Sequence, residues 1–114
     1  MYSTANDLGK YILFHLNKKS KVLRSDLIEE MQKPIHLVNE EWRFESDIRS
    51  YGIAWFTDDY RGFRLVEHGG GQLAVRSLIS MVPELNLGVV VLLNFDGTIH
   101  HDICKQIIDT FIDS

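Results

Sequence analysis

The chain has 114 residues, of which 45% are hydrophobic and 25% are charged, and its formal net charge is −4 at pH 7. This composition is typical of one globular domain with one core, which we assign to residues 1–114. The acidic balance and the lack of a basic stripe interleaved with aromatic residues argue against a nucleic-acid partner. No uninterrupted apolar run approaches membrane-spanning length, and Met1–Ala5 has no signal-peptide core, so no membrane segment or compartment is predicted.

The first half of the chain predicts two helices followed by an irregular segment. A first helix runs to about residue 17 and a shorter one follows, because apolar residues recur at three- and four-residue spacing. Ile35 to Ser50 has neither a helical nor a strand period, which favours an irregular crossing held by a few aromatic anchors. The expected caps are Ser3 or Thr4 for the first helix and Ser25-Asp26 for the second, and Pro34 ends the second helix. The aromatic anchors of the irregular segment are His36, Trp42 and Phe44.

A hairpin is predicted next. Tyr51 to Thr57 is rich in aromatic and β-branched residues, and Phe63 to Glu67 forms a second short strand. Turn-forming residues lie between them, namely Asp58-Asp59 and Arg61-Gly62. Two neighbouring aspartates can serve acid–base catalysis, but a place in the turn explains this pair better.

The C-terminal quarter predicts a buried strand and an amphipathic helix. Leu87 to Leu93 is a continuous valine-rich apolar run, which is typical of a buried strand. In the helix that follows, apolar residues four apart form an almost uninterrupted core face, and Asp96 or Thr98 is expected to cap it. The stripe comprises Ile99, Ile103, Ile107 and Phe111, with Cys104, Ile108 and Ile112 beside it.

The cysteine and the histidine pair of this helix are explained without a functional role. Cys104 is the only cysteine, which excludes an internal disulfide framework and a multi-cysteine metal site, and we expect a buried, inert thiol. His100 and His101 are adjacent and point in different directions. They are a poor metal pair because helical ligands need four-residue spacing.

The stretch Glu67-His68-Gly69-Gly70-Gly71 combines a titratable side chain with a backbone that lacks Cβ atoms. Glycine permits positive φ and lets another molecule approach the N–H groups closely, which suits a substrate or anion cradle. A glycine-rich hairpin beside a surface histidine explains the same pattern. These residues alone leave both explanations open.

The segment after the glycines, Gln72 to Val82, fits both a helical and a strand period. If this segment were a helix, the pattern Gly69-x-Gly71-x-x-Ala74 would mimic a dinucleotide-binding fingerprint. Asp96, after the next strand, would complete that fingerprint. Charged residues in the preceding strand disfavour this alternative, because a central parallel strand is apolar on both faces. Pro83-Glu84-Leu85-Asn86 also looks like a tight turn between antiparallel strands.

Four segments span nearly the whole chain in a distinctive order: Tyr2–Leu8, Tyr51–Trp55, His68–Gly71 and Val82–Asn94. They resemble the C-terminal part of the serine β-lactamase and penicillin-binding-protein family, and more narrowly its class C β-lactamase, D-alanyl-D-alanine carboxypeptidase and esterase-like branch. The match is weakest from Val22 to Arg49. The resemblance implies an α+β fold, with an antiparallel sheet of three to four strands, N-terminal helices and a C-terminal helix packed on it. This partial β-lactamase/transpeptidase-like fold makes Gln72 to Val82 a strand.

The resemblance also implies roles for the glycine stretch. His68 stands where the family's third motif has lysine or a variant, Gly69 and Gly70 follow, and Gly71 would supply an N–H of the oxyanion hole. His68 would bind a substrate carboxylate or assist proton movement, since histidine titrates close to neutral pH. The implied substrates are amides, β-lactams or small esters, without a cofactor, in the bacterial envelope or outside the cell.

The family's other two motifs are missing from this chain. No serine is followed three positions later by lysine, and no tyrosine two positions later by asparagine. We therefore expect the C-terminal portion of a serine hydrolase, inactive alone, although a non-catalytic binding or self-association module fits equally well. The strand Leu87 to Leu93 would then have an unpaired edge, which predicts a homo-oligomer or pairing with a missing N-terminal half.

Overall fold

The computed structural model describes residues 1–38 and 49–114, which form three helices around one sheet. The helices are α1 (Ala5–Asn17), α2 (Ser25–Met31) and α3 (Ile99–Ile112). The strands are β1 (His36–Leu37), β2 (Arg49–Tyr51), β3 (Phe56–Tyr60), β4 (Phe63–Gln72), β5 (Val75–Val82) and β6 (Leu87–Leu93), with a 3-10 turn at Pro83–Leu85. The strands lie side by side in chain order, and every neighbouring pair is antiparallel. The fold is α+β, as predicted.

The sheet buries apolar side chains on both faces, because successive residues of a strand point to opposite sides. On one face, α1 packs through Ile12 against Val66 and Met81. On the other face, α3 packs through Cys104 and Ile108 on β5 and β6. No helix in the described parts of the chain is long and apolar enough to cross a membrane.

The ends of the helices were predicted with mixed success. Thr4 caps α1, since its hydroxyl accepts a hydrogen bond from the N–H of Asp7 at 3.2 Å, as predicted. The expected Ser25-Asp26 cap of α2 is wrong. Arg24 occupies the N-cap position and makes no side-chain capping bond, and Ser25 is already helical. Thr98 lies at the N-cap of α3 but likewise makes no capping bond through its side chain.

The sheet has six strands in the described residues, more than the three to four expected. The extra strands β1 and β2 lie at the two ends of the segment for which an irregular crossing was predicted. Strands of two and three residues are too short to show an alternating pattern, which explains why the sequence did not reveal them. Trp42 and Phe44 lie outside the described residues.

A hairpin exists as β3 and β4, but its first strand was predicted too early in the chain: of Tyr51 to Thr57, only Phe56 and Thr57 belong to β3, and Tyr51 ends β2. The turn is also shorter than expected. Arg61 and Gly62 alone make the turn, with φ of 52° and 84°. Asp58 and Asp59 belong to β3 and pair with Leu65 and Arg64 of β4, so their assignment to the turn is wrong.

Gln72 to Val82 contains a second hairpin rather than a helix. β4 ends at Gln72, Ala74 makes the turn with φ of 63°, and β5 returns antiparallel. The dinucleotide-binding alternative is wrong, because its glycines lie inside an antiparallel strand and no helix follows them. The tight turn predicted after β5 is confirmed, with Asn86 at φ of 50°.

The buried stripe of α3 differs from the predicted one by one position. The buried residues are His100, Cys104 and Ile108, whereas much of the predicted core stripe lies on a flank of the helix. The prediction of a buried thiol is confirmed, and burial raises the pKa of Cys104 to about 11, which keeps the thiol protonated and unreactive.

Candidate active site

The site predicted at the glycines lies on a part of β4 that extends beyond its neighbour. β3 pairs with β4 only from Phe63 to Glu67, whereas β5 pairs with it as far as Gln72. From His68 to Gln72, therefore, β4 has a ladder partner on one side only among the described residues. Along such an edge, alternate backbone N–H and C=O groups point outward and are available to a ligand.

The three glycines are extended, so the expected use of positive φ is wrong; Gly62 is the glycine with that geometry in the described residues. Two of them, Gly70 and Gly71, lie close to side chains of β5. A Cβ on Gly70 would lie 2.8 Å from Ser77 Oγ, and one on Gly71 would lie 3.0 Å from Arg76 Nη1. A larger residue at Gly70 or Gly71 would make these side chains of β5 move, whereas a Cβ on Gly69 would make only ordinary contacts.

The imidazole of His68 is exposed and held in one orientation. Its Nδ1 lies 2.6 Å from the carbonyl oxygen of Gly69. Because a carbonyl only accepts, Nδ1 donates this hydrogen bond, and in the neutral ring Nε2 keeps the free lone pair. The rings of Phe56 and Tyr51 lie 5.6 Å and 6.1 Å away, centroid to centroid, and flank the imidazole.

A cavity of about 400 Å³ adjoins this histidine on the α1 face of the sheet, and we call it the His68 cavity. It is mostly apolar, with hydroxyl groups from Ser3 and Ser77. Its other lining residues are Met1, Leu8, Tyr11, Ala54, Trp55, Gly69, Ile79 and Leu92. Cavities of this size and character are typical of small-molecule sites.

Trp55 reaches the His68 cavity because of the tight turn between β2 and β3. A Cβ on Gly52 would lie 2.6 Å from the carbonyl oxygen of Met31, so only glycine lets the turn approach the end of α2. Ala54 adopts φ of 68°, and Trp55 is then buried with its ring stacked near Tyr11, at 6.3 Å between centroids. The motif Tyr51–Trp55 thus shapes the cavity.

Behind β4, a buried ion cluster fixes the residue before His68. Glu67 lies 3.2 Å from Nη2 of Arg49 and accepts a hydrogen bond from Ser80 Oγ at 2.9 Å. Nε of Arg49 lies 3.7 Å from Asp58. Breaking such a buried cluster is costly, so it holds the strand in register. Composition and spacing carried no signal for Arg49 or Ser80, and the sequence analysis missed both.

A second cavity of about 410 Å³ lies on the opposite face and contains Asp58 and Asp59, the aspartates considered for acid–base work. Asp58 serves there in the ion cluster rather than near His68. The rings of His100 and His101 lie in contact, with centroids 4.3 Å apart, so the expectation that they point in different directions is wrong. Burial lowers the pKa of each. The described residues contain no group of three or more side chains suited to a metal ion.

Comparisons with known proteins identify the family and the fold of the chain. The model of the beta-lactamase family matches residues 1–105, and the chain therefore belongs to that family. Its fold is similar to the octameric penicillin-binding protein homologue from Pyrococcus abyssi, with a TM-score of 0.74 and 26% sequence identity over 84% of this chain. The chain spans only 21% of that protein's chain. The comparison with curated proteins found no match.

Proposed function

We propose that this chain is the C-terminal portion of a β-lactamase-like serine hydrolase and supplies its substrate-binding strand. The observation that carries the proposal is the edge of β4 from His68 to Gln72, which has no strand partner among the described residues and lies beside the His68 cavity. A substrate in extended form can pair its backbone with such an edge, while its side groups enter the cavity. The substrate class is an amide, a β-lactam or a small ester.

Gly71 is the proposed oxyanion donor. Its backbone N–H would donate to the oxygen that gains negative charge when a nucleophile attacks the substrate carbonyl. A backbone donor in a strand held by β5 needs no reorganisation during the reaction. Loss of one such donor costs about 3 kcal/mol of transition-state stabilisation in acyl-transfer enzymes. Gly69 and Gly70 keep this part of the strand free of side chains that would block the substrate.

His68 is the proposed proton-handling group. With Nδ1 bound to the carbonyl oxygen of Gly69, Nε2 is free to accept a proton from the nucleophile or pass one to the leaving group. In its protonated form the same ring would attract a substrate carboxylate. The attacking hydroxyl must come from residues outside this chain, since its sequence has no serine-x-x-lysine motif. We therefore expect the chain to be inactive alone.

The same missing motif supports a second candidate, a non-catalytic module that keeps the fold for binding or self-association. In either case we propose that β6 pairs with another strand. Among the described residues β6 has β5 as its neighbour and an unpaired second edge. The added strand would come from a second copy or from an N-terminal half of the same fold.

A fluorescence titration tests the substrate-binding role. The chain has two tryptophans, so the Trp42→Phe variant leaves Trp55 as the reporter of the His68 cavity. We expect benzylpenicillin, methyl phenylacetate or phenylacetamide to change its emission. His68→Gln should weaken that binding, whereas His36→Gln, at an exposed histidine of β1, should not. Equal responses of the two variants, or turnover of nitrocefin by the unmodified chain, would contradict the proposal.

A further inference from the structure

Arg76 of β5 lies directly against the proposed oxyanion residue. It is the register partner of Gly71, and its Nη1, Cδ and Cζ would lie 3.0, 3.1 and 3.3 Å from a Cβ placed on that glycine. The guanidinium therefore covers the face of β4 opposite the His68 cavity. A larger residue than glycine at position 71 would displace it.

The guanidinium is held in place by three interactions. Its Nη1 donates to the carbonyl oxygens of Gln72 and Val75, at 2.8 Å each, and thereby closes the turn between β4 and β5. Its Nη2 pairs with the carboxylate of Asp96, which lies just before α3. The side chain thus links the end of β4 to the start of the C-terminal helix.

The charge of Arg76 acts on its surroundings despite the pairing with Asp96. Burial is the main cause that lowers the pKa of nearby His100, and the positive charge of Arg76 is the second. Arginine carries its charge on the guanidinium, and Nη1 and Cζ of this guanidinium are among the atoms nearest to a Cβ placed on Gly71. A positive charge therefore lies against the Gly71 backbone.

We infer that Arg76 is a positioning residue for the oxyanion site: it fixes the turn that follows Gly71 and places a positive charge behind the Gly71 N–H. The inference rests on the proposed function and extends it to a residue on the other face of the strand. A negative charge that develops at Gly71 would be stabilised by this charge through the thin, side-chain-free backbone.

Anion binding measured by amide NMR tests this role. The probe is phenylacetate, whose carboxylate carries the charge of an oxyanion, titrated while the Gly71 amide is followed. We expect Arg76→Gln to weaken binding about fivefold or more, and Arg76→Lys to keep part of the affinity. The matched control is Arg61→Gln, which removes the same charge from another ion-paired arginine, at the turn between β3 and β4, and should leave the affinity unchanged.

Asp96→Asn separates the effect of charge from that of structure. Removing the carboxylate leaves the positive charge uncompensated, so we expect tighter phenylacetate binding, with a stronger dependence on salt. If Arg76 only held the turn in place, Asp96→Asn would loosen that turn, and phenylacetate would bind more weakly. That result, or equal affinity of Arg76→Gln and the unmodified chain, overturns the inference. No response of Gly71 to phenylacetate in the unmodified chain contradicts the proposed function itself.

Discussion

The missing side chain at Gly70 leaves room for Ser77 on the neighbouring strand. It faces Ser77 across the β4–β5 ladder, and a Cβ there would lie 2.8 Å from Ser77 Oγ. The hydroxyl in turn lies 3.4 Å from the carbonyl oxygen of Gly70. The glycine thus allows the two strands to pack closely beside the His68 cavity.

We expect Gly70→Val to destabilise the fold by about 1 to 3 kcal/mol, because the branched side chain must displace Ser77 and its strand. Chemical denaturation of the two forms measures the difference. Ser77→Ala introduced together with Gly70→Val should recover part of the loss. As a control, Gly9→Ala on α1 meets no atom within 4 Å and should be neutral or stabilising. Equal stabilities of Gly70→Val and the unmodified chain would disprove the packing argument.

His15 gives the fold a dependence on pH. Its ring is buried among Tyr11, Phe14 and Trp55, and burial lowers its pKa from the ordinary value of 6.5. Below about pH 6.5 the unfolded chain therefore binds a proton that the folded chain does not, and the free energy of unfolding falls as pH decreases. His100 and His101, whose pKa values burial also lowers, act in the same direction.

The prediction is that stability is greatest above neutral pH and falls steadily towards pH 5. His15→Phe should flatten this dependence, since it replaces the titrating ring by an aromatic ring of similar shape. His36→Phe, at an exposed position of β1, should leave the slope unchanged. Thermal unfolding followed by circular dichroism across this range measures it, and a slope unaffected by His15→Phe would contradict the assignment.

Ala74 introduces backbone strain into the β4–β5 hairpin. It makes the turn after the glycine stretch with φ of 63°, a conformation that costs a residue with a Cβ about 1 kcal/mol. We expect Ala74→Gly to raise the free energy of unfolding by up to about 1 kcal/mol, despite the greater entropy of the unfolded chain. Differential scanning calorimetry checks this. A lower melting temperature for Ala74→Gly would show that the strain is compensated elsewhere.

The elements that sequence reasoning predicted well have a strong local signal. The period of α1, the Thr4 cap and the turn at Pro83–Leu85 each depend on residues a few positions apart. The short strands β1 and β2 depend on pairing between residues 36–37 and 50–51, which no local pattern records. Asp58 was predicted in a turn because aspartate is a common turn residue. Its actual environment is set by Arg49, which pairs with it across the sheet.

The α3 stripe shows a different limit of sequence reasoning. Periodicity predicted Ile99, Ile103, Ile107 and Phe111 as core, yet Ile99, Ile107 and Phe111 are 48%, 38% and 56% exposed. The other flank of α3 faces β3, where Asp109 accepts a hydrogen bond from Tyr60 at 2.8 Å. The exposed stripe therefore lies on the flank of α3 away from β3. Periodicity identified residues suited to burial but not whether a further element covers them.

At the scale of the whole molecule, the sequence led to candidate site residues but did not reveal their surroundings. The resemblance placed His68 and the glycines on a strand, and the structure adds the open edge of β4, the cavity and the buried cluster behind it. These additions arise from contacts between residues far apart in the chain. Arg49 comes within 3.2 Å of Glu67, and no short sequence motif contains both.

One edge of β6 has no partner in the part of the chain that the structure describes, and with the α3 stripe it leads to a prediction about assembly. We expect the chain to self-associate, with a mass above its 13.2 kDa in light scattering. Ile107→Glu should weaken the association, because it places a charge on the exposed apolar flank. Val22→Glu, at a loop position that is 88% exposed, is the control. A monomer at high concentration would contradict self-association, and a pairing with an N-terminal half would then be the proposal to test.

The most direct test of the central claim is an amide NMR titration of the unmodified chain with benzylpenicillin and methyl phenylacetate. We expect the backbone amide signals from His68 to Gln72 to shift together with the Trp55 indole signal, while the amide signals of Gly62 and Gly97 stay unchanged. Shifts confined to the opposite face, around Asp59 and Asp102, would contradict it. So would the absence of any response along the unpaired edge of β4.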